Sequence, residues 1–198
     1  MADEKQLLRK ILRETRACLP ASRARVLSDC VQQRLLALDC FTSAPAVVLY
    51  SAKDGEVSTE GIFAVALAEA KTVYFPRVDP LLKTLCLVPV ADPLMLKPGA
   101  FDLLEPQGRE QADLSELNHG LVCVPGVAFA QGGIRLGRGG GHYDRLLAEL
   151  GSAATTVGLA YSFQFLDHLP EGPGDQRVNL IVTEFSVHRG RPVNLPCG

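Results

Sequence analysis

The sequence predicts a single three-layer α/β domain built on a mainly parallel sheet. Three observations carry that expectation. Strand-type apolar runs alternate with helical patterns, several of the runs are continuously apolar, and no composition break divides the 198 residues. Continuous apolar runs mark strands buried on both faces, which is the condition of parallel strands covered by helices. A content of 47% hydrophobic and 21% charged residues is ordinary for a globular protein, and the length supports one real core. A net charge of −2 argues against general nucleic-acid binding.

In chain order, residues 3–17 and 20–38 read as two helices broken near Pro20. Leu7, Leu8, Ile11 and Leu12 form the apolar stripe of the first, and Val26, Val31, Leu35 and Leu36 that of the second. Lys5 and Arg9, four apart, share a helix face, and the pattern alone reads them as a solvated basic edge. Ala46 to Tyr50 is a continuous apolar strand. Its carboxyl end opens into a polar loop, Ser51 to Thr59, ahead of a helix at 60–70. Ligands collect at such strand ends, although Glu56 in that loop would ordinarily be a solvated acid. Strands follow at 72–76 and 85–90, and the short link between them predicts an antiparallel pair. Residues 91–118 hold Pro93, Pro98 and Pro106 and read as an irregular excursion.

Leu121 to Val124 is a buried strand that Pro125 to Phe129 carries into a glycine-rich loop. A helix is expected at 143–150, a strand at 155–161, a helical turn near 164–168 and a last strand at 178–183. The domain is expected to span residues 1–188, with Arg189 to Gly198 as a loose tail. The six cysteines make no C-x-x-C pair, so buried thiols are expected rather than zinc or a disulfide scaffold. The first residues are charged, and no run approaches 18 apolar residues, so the cytoplasm is the expected compartment with no membrane partner.

The chemistry concentrates between Gly132 and Arg145, where six glycines and three arginines fall within 14 residues and run into a helix. Glycines let main-chain N–H groups approach a ligand closely, and the helix start adds unpaired N–H groups and the positive dipole end. Arg135, Arg138 and Arg145 supply fork-shaped donors suited to phosphate oxygens. A polyphosphate cradle follows, against the alternative of a flexible surface loop ending at a helix cap. The stretch lacks the Lys-Ser/Thr of a Walker loop and misses the dinucleotide spacing. Polyphosphate chemistry asks for a hard cation, and Asp144 lies near enough to hold one; as a helix-start carboxylate it would equally favour the dipole. Asp175 in Gly172-Pro173-Gly174-Asp175 would alone be a turn residue.

Gly133-x-Arg135-Leu136-Gly137-Arg138-Gly139-x-Gly141-x-Tyr143-Asp144 resembles the signature of the 5-formyltetrahydrofolate cyclo-ligase family. Supporting pieces stand in the family's order over roughly residues 4–185: Lys5-x-x-x-Arg9, Gly55-Glu56-Val57-x-Thr59, Phe75-Pro76-Arg77, Glu105-Pro106, Pro125 to Phe129, and Val182-Thr183-Glu184. The resemblance implies a Rossmann-like, CoA transferase-like fold and an ATP-dependent ring closure. In it 5-formyltetrahydrofolate and MgATP give 5,10-methenyltetrahydrofolate, ADP and phosphate, through phosphorylation of the formyl oxygen and attack by N10. Such chemistry asks the protein for positioning and charge stabilisation, consistent with a site lacking a nucleophile-base pair.

By matching position, the resemblance implies that Lys5, Arg9, Arg135, Leu136, Gly137, Arg138, Gly139, Gly140, Gly141, His142 and Tyr143 contact ATP. It implies Asp144 and Asp175 as Mg²⁺ ligands, Glu56 on the pterin and Ser51 lining its pocket. Arg138 through His142 would face both ligands, with Arg135, Arg138 and His142 as the catalytic groups. The implied partner is the small-molecule folate, in a polyglutamylated form where the cell supplies one, acting on a monomer. Three positions depart from the family's pattern: His142 for Tyr, Asn179 for an acid before the last strand, and Ala130 for Asp. Two other readings compete, a non-catalytic folate or nucleotide binder and a sugar-phosphate isomerase, for which the sequence shows no acid-base pair.

Overall fold

The computed structural model describes residues 2–79, 84–99, 103–107 and 111–190. Five parallel strands form its centre: β1 (Ala46–Val48), β2 (Thr72–Val78), β6 (Leu121–Val124), β9 (Thr155–Leu159) and β11 (Leu180–Val182). Antiparallel edges, β3 (Leu85–Pro89) beside β2 and β12 (Val187–Arg189) beside β11, complete the order β12-β11-β9-β6-β1-β2-β3. The antiparallel β2–β3 pair is the one expected from its short link. Arg189, placed in the tail by sequence, pairs with Leu180 as the end of β12, while residues 191–198 lie outside the described residues.

The period of two along each strand splits the core into layers. Val47, Leu49, Val73, Phe75, Leu121, Cys123, Val157 and Leu159 point to one face, where α2 (Ala21–Leu36) and α4 (Glu60–Ala68) cover them. Ala46, Val48, Tyr74, Val122 and Val124 point to the other, covered by Leu146, Leu147 and Leu150 of α5 (His142–Leu150). The three-layer α/β expectation is therefore met. A short helix α3 (Asp39–Thr42) leads into β1.

A second, three-stranded sheet sits above the carboxyl ends of the main one. β7 (Ala128–Ala130) pairs antiparallel with β8 (Ile134–Leu136) and parallel with β10 (Phe165–Leu166). Helix α1 (Ala2–Ala17) lies on this sheet, with Leu12 packed against Val127, Ala128, Ala130, Leu136 and Leu169.

Several local expectations are corrected. Leu7 and Ile11 of α1 are exposed at 58% and 48%, and Val26 of α2 at 55%, so none belongs to a core stripe. The buried face of α1 runs instead through Lys5, Arg9, Leu12 and Arg16, because long basic side chains bury their stems along it. The excursion at 91–118 contains a hairpin, β4 (Leu96–Pro98) with β5 (Leu104–Pro106), and 3₁₀ turns at Pro93–Met95 and Leu114–Leu117. The helical turn expected at 164–168 is a 3₁₀ turn at Ser162–Gln164, after which the chain extends into β10. Cys86 and Cys123 are buried thiols as expected, but Cys18 and Cys30 are exposed and Cys40 is half-buried; these five are free.

Candidate active site

From β1 the chain moves to β2 on one side of the sheet, whereas from β6 it moves to β9 and β11 on the other. The carboxyl ends of β1 and β6 therefore face the crevice where strand order reverses, the standard ligand position of open α/β sheets. The loop after β1 carries Tyr50, Ser51 and Glu56 to it. The loop after β6 brings Pro125 and Gly126, and the β7–β8 hairpin then returns Arg135 and residues 137–144 over the same crevice. Together they line a cleft of about 340 Å³, whose remaining wall is apolar: Pro76, Val78, Leu85, Leu103 and Leu104, with Glu105 at its edge.

Glycine is required along this wall. Gly139 and Gly141 have φ of 110° and 67°, and Gly141 caps α5 in the left-handed region. A Cβ on Gly137 would stand 2.7 Å from Arg135 Nη1. The arginine thus lies directly beneath bare backbone.

The cations are matched with carboxylates. Arg138 donates from Nε and Nη2 to Glu56 Oε1 at 3.1 and 2.9 Å, and from Nη1 to Asp54 Oδ2 at 3.1 Å. The Glu56 side chain is only 6% exposed, and its Oε2 accepts from the Lys53 N–H. Arg135 donates from Nη2 to Asp144 Oδ1 at 2.7 Å and from Nη1 to the Pro125 carbonyl at 3.3 Å. Two buried donors beside it, Arg135 Nε and the Tyr143 hydroxyl, have no hydrogen-bond partner among the described residues. Burial pushes the Tyr143 pKa up, Glu56 adds to the rise and Arg135 opposes it, so the hydroxyl stays a neutral donor. Buried donors without a partner are uncommon in folded proteins, and these two lie just behind the cleft wall.

A second group lies beside the cleft without lining it. Lys5 pairs with Asp175, whose Oδ2 also accepts the Gly172 N–H at 2.8 Å. Burial would raise the Asp175 pKa, but the Lys5 ammonium and the Gly172 N–H overcome it and hold the carboxyl below its ordinary value. Arg9 donates to the Gly137 carbonyl at 2.8 Å, and Arg13 reaches the Arg138 carbonyl at 3.3 Å. Asp144 Oδ1 accepts the Gln176 N–H at 3.2 Å, which ties the turn holding Asp175 to the start of α5. Helix α1 is thus fastened across the glycine-arginine segment.

Of the residues singled out from sequence, Ser51, Glu56, Arg135, Gly137, Arg138, Gly139, Gly140, Gly141, His142, Tyr143 and Asp144 meet around one cleft. Lys5, Arg9 and Asp175 join it from behind. Leu136 does not line the cleft: the residue is 2% exposed, packed in the core with Leu12, and its carbonyl accepts the Val127 N–H at 2.8 Å. His142 Nδ1 lies 3.3 Å from Arg145 Nη2, which also donates to the Gly140 carbonyl. Asn179 is committed elsewhere, since its Oδ1 accepts from both the N–H and the hydroxyl of Thr156 at 2.8 Å. Ala130 is fully buried in β7. Among the described residues no group of three His, Cys, Asp or Glu side chains forms a metal cluster. Mg²⁺ does not need one, because one or two carboxylates suffice when phosphate oxygens and water complete its shell.

Sequence reasoning missed Tyr50, Asp54, the apolar wall and above all Arg16. The Arg16 side chain is buried, with Nε donating to the Asp54 carbonyl at 2.8 Å and Nη1 lying 3.9 Å from Glu56 Oε1. The signal was present: Lys5, Arg9 and Arg16 recur at helical spacing with Leu12, which places them on one face.

A family model described as the 5-formyltetrahydrofolate cyclo-ligase family matches residues 1–184. The 5-formyltetrahydrofolate cyclo-ligase of Haemophilus influenzae is 33% identical over 171 residues, covering 84% of this chain and 90% of that protein. That of Escherichia coli K12 is 28% identical over 184 residues, covering 89% and 98%. Among solved structures, the 5,10-methenyltetrahydrofolate synthetase of Aquifex aeolicus superposes with a TM-score of 0.83 at 36% identity, covering 98% of this chain and 96% of that one.

Proposed function

The chain belongs to the 5-formyltetrahydrofolate cyclo-ligase family, and from that premise we propose that it closes 5-formyltetrahydrofolate to 5,10-methenyltetrahydrofolate with consumption of ATP. The observation that carries the reading is a single cleft with two chemically different halves. One half is main-chain amides and guanidinium groups from 135–143, and the other is Glu56, Ser51 and an apolar wall suited to a flat heterocycle.

In this reading Arg138 and the amides of Gly139 to His142 face the γ-phosphate, while Lys5, Arg9 and Arg135 hold the rest of the triphosphate. Glu56 accepts hydrogen bonds from the pterin N–H groups and fixes the formyl oxygen toward the phosphorus. Once the formyl oxygen carries the phosphoryl group, N10 attacks the formyl carbon, the C–O bond breaks, phosphate leaves and N10 gives up its proton. The protein's work is positioning and field, which is what phosphoryl transfer requires. Arg135 Nε and the Tyr143 hydroxyl are buried without a partner among the described residues, so the guanidinium and the ring must shift before an incoming oxyanion can reach them. Asp144 and Asp175 would hold Mg²⁺, each exchanging its present cation partner, Arg135 or Lys5, for the metal. The ion would neutralise charge developing on the phosphate oxygens. His142 supplies a ring edge at the join of the two halves, where the family more often has Tyr.

Cytoplasmic location, a monomeric state, one domain over 1–188 and a polyglutamylated form of the substrate belong to the same proposal. Among the described residues no helix is long and apolar enough to cross a membrane.

The test is the near-ultraviolet absorbance of the methenyl product. It should rise only when 5-formyltetrahydrofolate and MgATP are both present, with ADP released in equal amount. Tight binding of either ligand without ADP formation would make the chain a binder instead.

A further inference from the structure

The Glu56 carboxylate is shared by two arginines of very different character. Arg138 approaches from the rim, with 36% of its side chain exposed, while Arg16 lies beneath with 2% exposed. Both address the same oxygen: Arg138 Nη2 is 2.9 Å from Glu56 Oε1, and Arg16 Nη1 is 3.9 Å from it. Arg16 cannot follow a ligand. Its Nε is bonded to the Asp54 carbonyl, and its stem lies against Gly55, where an added Cβ would stand 3.4 Å from Cγ. Its remaining nitrogen, Nη2, is buried without a hydrogen-bond partner among the described residues.

Arg138 therefore has two duties that conflict. In the proposed reaction it must face the γ-phosphate, yet at rest it neutralises a buried carboxylate. Withdrawing the sole counter-ion of a buried charge is heavily unfavourable, whereas a second resident cation removes most of that cost. Resting on the cyclo-ligase reading, we infer that Arg16 is a positioning residue that keeps Glu56 paired while Arg138 transfers from Glu56 to the phosphoryl oxygens. The Nη1 nitrogen, 3.9 Å from Glu56 Oε1, is the group that would close on the carboxylate when Arg138 leaves it. Occupation of Glu56 by the pterin and engagement of phosphate by Arg138 thereby become linked events, since whatever loosens the Glu56–Arg138 pair favours both.

A double-mutant cycle on turnover tests this. With Glu56 present, Arg16→Met should lower kcat by about a hundredfold at saturating substrates, with the KM for ATP moving by about threefold or less, because Arg138 stays locked to an otherwise unpaired carboxylate. In a Glu56→Gln background there is no charge to hold Arg138, so the same substitution should cost only about threefold in kcat. Arg16→Lys, which retains the cation, should recover at least about tenfold of the loss. Equal losses in both backgrounds would show that Arg16 acts only through packing and would overturn the inference, as would the absence of any loss. If Arg16→Met does not fold, Arg16→Gln compared with Arg16→Lys in the two backgrounds separates charge from packing in the same way. Wild-type protein in the same assay separates the two levels. No turnover there defeats the cyclo-ligase reading itself, whereas turnover with an additive cycle defeats only the role of Arg16.

Discussion

Gly137→Ala should damage catalysis and stability together through one displaced guanidinium. The new methyl carbon would stand 2.7 Å from Arg135 Nη1 and 3.4 Å from Cζ. No positive φ is involved at Gly137, so the effect comes from that contact rather than from backbone strain. To reach ordinary contact the guanidinium must retreat by about 0.7–1 Å. It is buried at 3% side-chain exposure and held by Asp144 at 2.7 Å, so the retreat stretches a charge-assisted hydrogen bond. Loss of such a bond costs about 1.5–3 kcal/mol, which in a chain of this size lowers Tm by roughly 3–12 °C. Misplacing a phosphate-binding group by about 1 Å costs on the order of 10²-fold in turnover. The methenyl absorbance assay reads the second effect, and differential scanning fluorimetry reads the first. Turnover within threefold of wild type would show that Arg135 is not where the phosphate chemistry occurs.

Two further outcomes follow from the packing. All four tyrosines, Tyr50, Tyr74, Tyr143 and Tyr161, have pKa values raised first by burial, with Tyr74 pushed up to about 12 by burial and Glu116. Since the folded-state values exceed the unfolded one, each contribution to stability is complete below about pH 10, and that of Tyr74 is lost as pH rises through about 12. Native protein should therefore show less phenolate absorbance at about pH 10 than the unfolded chain, and Tyr74→Phe should remove a step near about 12; equal phenolate in the two states at about pH 10 contradicts the burial argument. Gly158→Ala should destabilise the fold by about 1–3 kcal/mol, because its Cβ would fall 2.3 Å from the ring of fully buried Phe129. Adding Phe129→Leu should return part of that loss in urea unfolding, and a pair of variants that simply add would exclude the contact as the cause.

How far the sequence disclosed this molecule depended on whether a residue's partners were local. Val47, Val48 and Leu121 to Val124 announced a buried parallel sheet because both faces of those strands must be apolar. The glycine-arginine run announced one wall of the cleft because its chemistry is written in consecutive residues. Strand β8 went unseen within that run, since three residues between glycines carry no periodic signal. The β4–β5 hairpin was hidden by its prolines, which sit at strand ends where ladder donors are not needed. Leu7 and Ile11 were wrongly given to the core because apolar character outranked basic side chains in the pattern. The structure reverses that order: the stems of Lys5, Arg9 and Arg16 are buried, and their charges meet groups more than thirty residues away at the least. Contacts of that span cannot be read from spacing within a helix.

Helix α1 touches both halves of the cleft's machinery, Lys5 at the Asp175 turn and Arg16 at the Glu56 loop. At about 1.5 Å per residue these two positions lie about 16 Å apart along a stiff rod. The rod works as a gauge block. It sets the separation between the Asp175 turn and the Glu56 loop, independently of how the segments between them relax. Lengthening it by one residue would rotate Arg16 off the shared face by roughly 100° and put the two ends out of register, even though every loop kept its own sequence.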